Sequence, residues 1–170
     1  LNELNSPEKK IITVEDPVEY RLPGLNQVQV HEKIDLSFAR VLRSALRQDP
    51  DIVLLGEMRD QQTAEIGMRA AMTGHLVLST LHTNDALSTP IRLLDMGVAR
   101  YMVALSVNLV LAQRLVRVVC ANCATAHEPT PHENEWLKQE LHDRVDAHKY
   151  LRGSGCAHCN GTGYQGRSGV

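Results

Sequence analysis

The chain has 170 residues, of which 43% are hydrophobic and 4% are aromatic. This length allows one domain with a hydrophobic core plus a small appendage, and this hydrophobic content excludes an intrinsically disordered chain. The formal net charge of -2 gives no electrostatic reason to expect nucleic acid or an anionic membrane as a partner. Because no apolar run approaches the length of a membrane span and no signal peptide is recognisable, we expect a cytoplasmic protein.

Strand-like and helix-like patterns alternate over the first two-thirds of the chain. Apolar runs predict three buried strands, at 11–14, 52–55 and 76–80, and alternation predicts an edge or hairpin strand at 25–30. Apolar residues at helical spacing predict helices at 38–46 (with Ser37 as the N-cap), 62–73, 89–96 and 100–116. Apolar strands that alternate with helices indicate an α/β fold with a mostly parallel sheet.

The composition changes after Val119, where a small appendage begins. Leu137, Leu141 and Val145 predict one short amphipathic helix, and the end of the chain is rich in glycine and poor in apolar residues. So small a unit cannot bury much apolar surface, and such a unit usually needs a metal.

The four cysteines form two Cys-x-x-Cys pairs, Cys120/Cys123 and Cys156/Cys159. Four thiolates at this spacing can surround one zinc ion in a closed, structural site, with His158 as a conceivable substitute ligand. The alternatives are four buried or redox-active thiols, or a protein-binding zinc module of the chaperone type. The second pair fits the Cys-x-x-Cys-x-Gly-x-Gly repeat of such modules, whereas the first pair lacks the glycines.

Polar residues follow each predicted buried strand. Glu15 and Asp16 come after the first strand, Glu57 after the second and His82 after the third, with His75 just before the third. Ligands of open α/β sheets bind at the carboxyl ends of the strands. Carboxylates and a histidine gathered there suit magnesium binding and water activation in phosphoryl transfer. Any one of these residues alone is more simply a solvated strand end, but three such ends in succession favour a site.

Four ordered segments resemble motifs of the secretion ATPase superfamily (GspE/PilB/PilT). The segment 12–20 (ITVEDPVEY) resembles its Asp box, and 47–60 (RQDPDIVLLGEMRD) resembles its atypical Walker B motif, with Gly56 where an acid often precedes the glutamate. The segment 73–86 (TGHLVLSTLHTNDA) resembles its His box, and 112–115 (AQRL) matches the segment before the cysteines. The resemblance implies a RecA-like P-loop NTPase core, here incomplete, with a small C-terminal zinc-binding subdomain.

The resemblance also implies roles for individual residues. Glu15 is expected to activate water and Glu57 to organise Mg²⁺ on ATP. His82 and His75 are both expected to sense the terminal phosphate and to couple it to subunit movement. Arg114 is expected either near the nucleotide or on an ordinary helix surface.

The P-loop of this superfamily is expected upstream of Leu1, so the chain alone is expected to be inactive as an ATPase. The segment from Gly161 to Ser168 imitates a P-loop with arginine in place of lysine, but no strand precedes it and no helix follows it. We predict an ATPase core remainder at 1–119, a tetracysteine zinc subdomain at 120–163 and the start of a return to the core at 164–170.

Within the superfamily, the tetracysteine appendage is typical of assembly and secretion ATPases rather than of retraction motors. The resemblance therefore implies a hexameric motor that hydrolyses ATP for type II secretion or type IV pilus assembly. Inner-membrane secretion or pilus proteins are its implied partners, at the cytoplasmic face of that membrane. A retraction-type motor is the first alternative, and the chaperone-like zinc module is the second.

Overall fold

The computed structural model describes residues 1–142, 145 and 149–170. The described residues form two compact units, Leu1–Ala112 and Gln113–Val170. Residues 113–119 are grouped with the cysteine-bearing residues because 115–119 pair with 164–169 in an antiparallel sheet.

The unit Leu1–Ala112 contains a parallel sheet and α-helices. Its strands are β1 (Ile11–Glu15), β2 (Asn26–Gln29), β3 (Ile52–Leu55) and β4 (Leu76–Ser79). Its α-helices are α1 (Phe38–Leu46), α2 (Gln61–Met72), α3 (Ser88–Asp95) and α4 (Arg100–Ser106). Within this fully described unit the strands lie in the order β2-β1-β3-β4, and each neighbouring pair is parallel. The predicted α/β class and parallel sheet are confirmed.

Local sequence signals explain where the helices begin. The hydroxyl of Ser37 accepts a hydrogen bond from the backbone N–H of Arg40, which confirms the predicted N-cap of α1. The carboxylate of Asp60 caps α2 by accepting from the N–H of Thr63 at 2.8 Å. Gly74, with φ of +105°, follows the end of α2 in a backbone conformation that other residues rarely adopt.

One face of the sheet packs against helices to form the hydrophobic core. Val14, Val53 and Leu55 are fully buried there. Side chains from α1, α2, α3 and α4 complete this cluster, among them Phe38, Leu42, Ala64, Met68, Leu93, Met102 and Val103. Because side chains alternate between the two faces of a strand, Thr13 and Glu15 belong to the opposite face of β1.

Two expectations for this unit need correction. The helix predicted at 100–116 is confirmed over 100–106 and wrong beyond it, because α4 ends at Ser106 and Val107 has an extended backbone, with φ of -84° and ψ of 107°. The residues at 115–119 form a strand instead, for which the β-branched Val116, Val118 and Val119 are well suited. The strand at 76–79 is not fully buried, because β4 is an edge of the sheet and Leu76 is 46% exposed.

The described residues of Gln113–Val170 form two short antiparallel sheets and a helix. β5 (Leu115–Val119) pairs with β8 (Tyr164–Gly169), and β6 (Ala124–Ala126) pairs with β7 (Leu151–Gly153). The predicted short helix is α5 (Pro131–Leu141), which Thr130 and Glu133 begin with a reciprocal capping box. Across the part of the chain that the structure describes, no helix combines the length and apolar character needed to span a membrane.

Candidate active site and candidate metal centre

Glu57 lies where the carboxyl ends of three strands meet. The N–H of the preceding residue, Gly56, donates to the carbonyl of Val14 at 2.7 Å, and its own carbonyl accepts from the hydroxyl of Thr80 at 2.6 Å. The loops after β1, β3 and β4 are therefore tied together next to Glu57. A Cβ atom at Gly56 would lie 3.3 Å from the carbonyl oxygen of Val14, so glycine suits this close approach of two strands.

The carboxylate of Glu57 lies between the side chains of Arg59 and His82. Its Oε1 contacts the guanidinium of Arg59, and its Oε2 lies 3.3 Å from Nε2 of His82. Arg59 also reaches Oδ2 of Asp16 at 3.7 Å. Hydrogen bonding and charge from Arg59, opposed by burial and assisted by His82, lower the pKa of Glu57 below its ordinary value. Glu57 is therefore ionised at neutral pH.

Oε2 of Glu57 is a buried oxygen without a hydrogen-bond donor. Although His82 is near, no described residue donates to this oxygen with hydrogen-bond geometry. A buried carboxylate oxygen of this kind is unfavourable unless something else satisfies it. Carboxylate oxygen is a preferred ligand of Mg²⁺, which usually keeps several waters and few protein ligands in nucleotide sites. The residues present therefore fit a magnesium ion.

Glu15, the last residue of β1, shares a cavity of about 450 Å³ with Glu57. Asp16, Thr80 and His82 also line this cavity. Oε1 of Glu15 accepts hydrogen bonds from the hydroxyl of Thr13 at 2.5 Å and from Nε2 of Gln27 at 3.0 Å. The structure thus brings together three of the predicted site residues: Glu15, Glu57 and His82.

His75 is not brought to this cavity. It precedes β4, whereas Glu57 and His82 follow the opposite ends of their strands. Its Nδ1 lies 3.0 Å from the carbonyl of Ala70 and 3.2 Å from the hydroxyl of Thr73, at the end of α2. His75 instead lines a separate, mainly apolar cavity beside β4, of about 520 Å³.

Arg114 belongs to the unit Gln113–Val170, and it is not on a helix. Its backbone N–H donates to the carbonyl of Val170 at 2.8 Å, and its carbonyl accepts from the N–H of Val170 at 2.9 Å. Arg114 therefore extends the pairing of β5 and β8.

The four cysteines form the candidate metal centre. Their sulfur atoms all lie within 4.8 Å of one another. Sγ–Sγ distances are 4.0 Å for Cys120–Cys156 and 3.8 Å for both Cys123–Cys159 and Cys156–Cys159. A tetrahedral site with zinc–sulfur bonds of about 2.3 Å has sulfur–sulfur edges of about 3.8 Å. The arrangement is compatible with one Zn²⁺ ion.

Backbone N–H groups stabilise negative charge on one sulfur atom of this cluster. Sγ of Cys159 accepts from the N–H groups of Cys156 and Gly163, each at 3.2 Å. These hydrogen bonds, the one from Cys156 foremost, lower the pKa of Cys159 to about 6. Burial raises the pKa of Cys123 to about 11. These opposite shifts favour a thiolate at Cys159 over one at Cys123, and a bound metal would stabilise thiolate ligands further.

Two glycines let the metal-binding loops approach each other. A Cβ atom at Gly153 would lie 2.0 Å from the carbonyl oxygen of Gly163, and one at Gly163 would lie 2.5 Å from the carbonyl oxygen of Gly153. Gly163 also has a φ of +76°. The glycine-rich sequence around the second cysteine pair thus reflects close backbone contact within this unit.

A family model described as type II/IV secretion system protein matches residues 1–170. The chain belongs to this family. It is 48% identical over all 170 residues to the type II secretion system protein E of Aeromonas hydrophila, and it covers 33% of that protein. It is 49% identical over 170 residues to the type IV pilus assembly ATPase PilB of Myxococcus xanthus (strain DK1622), and it covers 30% of it. The chain therefore spans about one third of the length of these relatives.

Among solved structures, this secretion-family chain is similar to the pilus retraction motor PilT with bound ADP. The TM-score is 0.59 and the sequence identity is 34%, over 83% of this chain and 46% of that one. The retraction motor thus shares the fold, at a lower identity than the type II secretion and pilus assembly relatives.

Sequence reasoning missed three residues of the site, namely Thr13, Gln27 and Arg59. The sequence did contain a local indication of Arg59 as a site residue, since it stands two positions after Glu57. Gln27 had none, because its role depends on the register that sets it directly opposite Thr13 on the neighbouring strand.

Proposed function

We propose that the chain is part of an ATP-hydrolysing motor for type II secretion or type IV pilus assembly. The observation that carries this proposal is the convergence of Glu15, Glu57 and His82 on one cavity at the carboxyl edge of a parallel sheet. That edge is where ligands of α/β sheets bind. The full-chain identity to type II secretion proteins E and to PilB supports the same machine class.

In this proposal the sheet is the RecA-like core of a nucleotide-binding domain. Glu57 would hold Mg²⁺, because its carboxylate is ionised and its buried Oε2, which faces His82, has no hydrogen-bond partner among the described residues. Magnesium-bound ATP supplies the transferable phosphoryl group and the charge neutralisation that this reaction needs. Glu15 accepts the proton of the attacking water, since its Oε2 accepts no hydrogen bond from any described residue while Oε1 is held by two donors.

His82 has the position and the freedom of a sensor. Its side chain is 89% exposed although it neighbours the buried Glu57 carboxylate. It can therefore change partner when a phosphate enters or leaves the cavity, without disturbing the core. His75 and Arg114 take part in no chemical step of this proposal, because their described contacts are not with residues of this cavity.

The four cysteines bind one structural Zn²⁺ in this proposal. The sulfur spacing suits zinc, and four cysteine ligands leave no open coordination position for catalysis. This centre favours a secretion or assembly motor over a retraction motor. The motor acts as a hexameric ring with inner-membrane partners, at the cytoplasmic face of the membrane.

The test is ATP hydrolysis by the full-length protein with Glu57→Gln. We expect turnover to fall by at least about 100-fold, because a neutral amide is a weaker magnesium ligand than a carboxylate and carries no charge to balance that of the ion. Glu65→Gln is the matched control, since Glu65 lies on α2 and bonds Gln61 at 2.9 Å, away from the cavity. Near-normal turnover with Glu57→Gln would overturn the assignment of the active site.

A further inference from the structure

Glu15 is held at a single oxygen by donors from two different strands. Thr13 donates from two positions earlier on β1, and Gln27 donates from β2. The register sets Thr13 directly beside Gln27, and the period of two places Glu15 on the same face as Thr13. Both hydrogen bonds end on Oε1, so the carboxylate plane is fixed and Oε2 is directed away from these donors.

The orientation of the Gln27 amide is determined by the backbone around it. Its Oε1 accepts from the N–H of Leu22 at 2.7 Å, so its NH₂ group must be the side that faces Glu15. That NH₂ group donates to the carbonyl of Tyr20 at 2.9 Å and to Glu15 at 3.0 Å. Gln27 therefore links Glu15 to the loop that lines the cavity.

The hydroxyl of Thr13 has no other hydrogen-bond partner among the described residues. Thr13 is fully buried in the strand between β2 and β3. Valine would fill the same space and suits a strand equally well, so neither packing nor strand propensity requires a hydroxyl here. The hydroxyl is explained by its bond to Glu15.

We propose that Thr13 and Gln27 are positioning residues that aim the free oxygen of Glu15 at the attacking water. The inference rests on the proposed function, in which Glu15 is the general base. By occupying Oε1, the two donors leave Oε2 as the oxygen that accepts the proton from water. A carboxylate fixed in this way is already close to the geometry of proton transfer. Such orientation of reacting groups accounts for a large part of the rate enhancement in an active site.

Paired substitutions at residue 13 separate positioning from packing. Thr13→Val keeps the shape but loses the hydroxyl, whereas Thr13→Ser keeps the hydroxyl but loses a buried methyl group. We expect Thr13→Val to keep the melting temperature and the KM for ATP while kcat falls about tenfold. We expect Thr13→Ser to be less stable and to keep most of the kcat. If kcat instead followed stability in both variants, the hydroxyl would have a structural role and the inference would be wrong.

Two further variants complete the experiment in the full-length protein. In Thr13→Val combined with Glu15→Gln, we expect no loss of kcat beyond that of Glu15→Gln alone, because Thr13 acts through Glu15. Thr63→Val is the control, since Thr63 is equally buried but bonds Asp60 at 2.9 Å, outside this network. Its kcat should match the wild type.

The outcomes distinguish this inference from the function on which it rests. Wild-type kcat in Thr13→Val, together with an inactive Glu15→Gln, would remove the positioning role and leave the proposed motor intact. Wild-type kcat in Glu15→Gln would remove Glu15 as the base and the positioning role with it. The Glu57→Gln result would then decide independently whether the cavity is the active site.

Discussion

The side chains of Glu57 and His82 are neighbours that differ greatly in solvent exposure. Oε2 of Glu57 lies 3.3 Å from Nε2 of His82, yet the glutamate side chain is 12% exposed and the histidine side chain is 89% exposed. The carboxylate is fixed by its surroundings, whereas the histidine is held by little besides the carboxylate. A change of ligand in the cavity can therefore move the histidine at small cost to the fold.

His82→Ala is expected to impair turnover without impairing stability. We expect kcat for ATP to fall by about tenfold or more, because the group that faces both Glu57 and the cavity is lost. The free energy of unfolding should change by less than about 0.5 kcal/mol, as is usual at exposed positions. Steady-state hydrolysis and thermal denaturation of the full-length protein measure the two effects. A large loss of stability with intact kcat would contradict the role given to His82.

Arg59→Ala is expected to shift the pH dependence of both activity and stability. Arg59 makes the largest contribution to lowering the pKa of Glu57, so its removal should raise that pKa. The acid limb of the kcat profile should then move to higher pH, because protonated Glu57 cannot bind magnesium. A carboxyl group whose pKa is lowered by folding stabilises the fold at pH values above its ordinary pKa of 4.5. This stabilisation is lost as the pH falls through the pKa of the folded state.

The melting temperature of Arg59→Ala should accordingly lie below that of the wild type at neutral pH, and the gap should close in acid. Arg69→Ala is the matched control, because Arg69 is exposed to a similar degree and pairs with Glu65 at 3.9 Å on the surface of α2. Parallel pH profiles for wild type and Arg59→Ala would show that Arg59 does not tune Glu57.

Purified protein is expected to contain one zinc ion per chain. Elemental analysis after removal of loosely bound ions measures this content, and Cys159→Ser should lower it. His158→Ala should leave it unchanged, because the described metal-binding group consists of the four cysteines. Chelation should expose Gln113–Val170 to proteases, since small zinc units depend on the metal for folding. A zinc-free protein prepared without chelator would refute the metal centre.

Gly153→Ala is expected to distort the metal centre. The added methyl group would overlap the backbone of Gly163, which cannot move without also moving the donor to Cys159. We expect a loss of at least about 2 kcal/mol in unfolding free energy and faster release of zinc to a competing chelator. In Gly169→Ala the three atoms nearest to the new methyl group all belong to the flexible side chain of Gln113 and not to the backbone, so this variant is the control. Equal zinc release from the two variants would count against the close backbone contact.

Helices and strands that are marked by their own neighbouring residues could be predicted from the sequence. Strands that are determined by pairing with a distant segment could not. β1, β3 and α1 were identified because apolar runs and the Ser37 cap are read directly from neighbouring residues. The helix predicted at 100–116 was extended too far, beyond Ser106, because an apolar stretch has the same composition in a buried helix and in a strand. Only the pairing of β5 with β8 shows that 115–119 is a strand.

The same distinction holds for the candidate site. The convergence of Glu15, Glu57 and His82 was predictable, because parallel strands bring their carboxyl ends to one edge. The position of His75 away from the cavity follows from the same geometry, because His75 lies at the amino end of β4. Thr13 and Gln27 could not be found, because their contact with Glu15 depends on strand order and register.

The spacing of the cysteines has a consequence for how relatives can differ in length. Cys120 and Cys156 are 36 positions apart, and between them β6 and β7 pair so that His127 donates to the carbonyl of Tyr150 at 2.9 Å. The segment 127–150 thus begins and ends at one point of the sheet. Doubling the length of such a closed segment costs only ~0.6 kcal/mol of entropy. Insertions, deletions or a fused reporter should be tolerated there, which makes this segment a natural place for evolutionary variation and for labelling the protein.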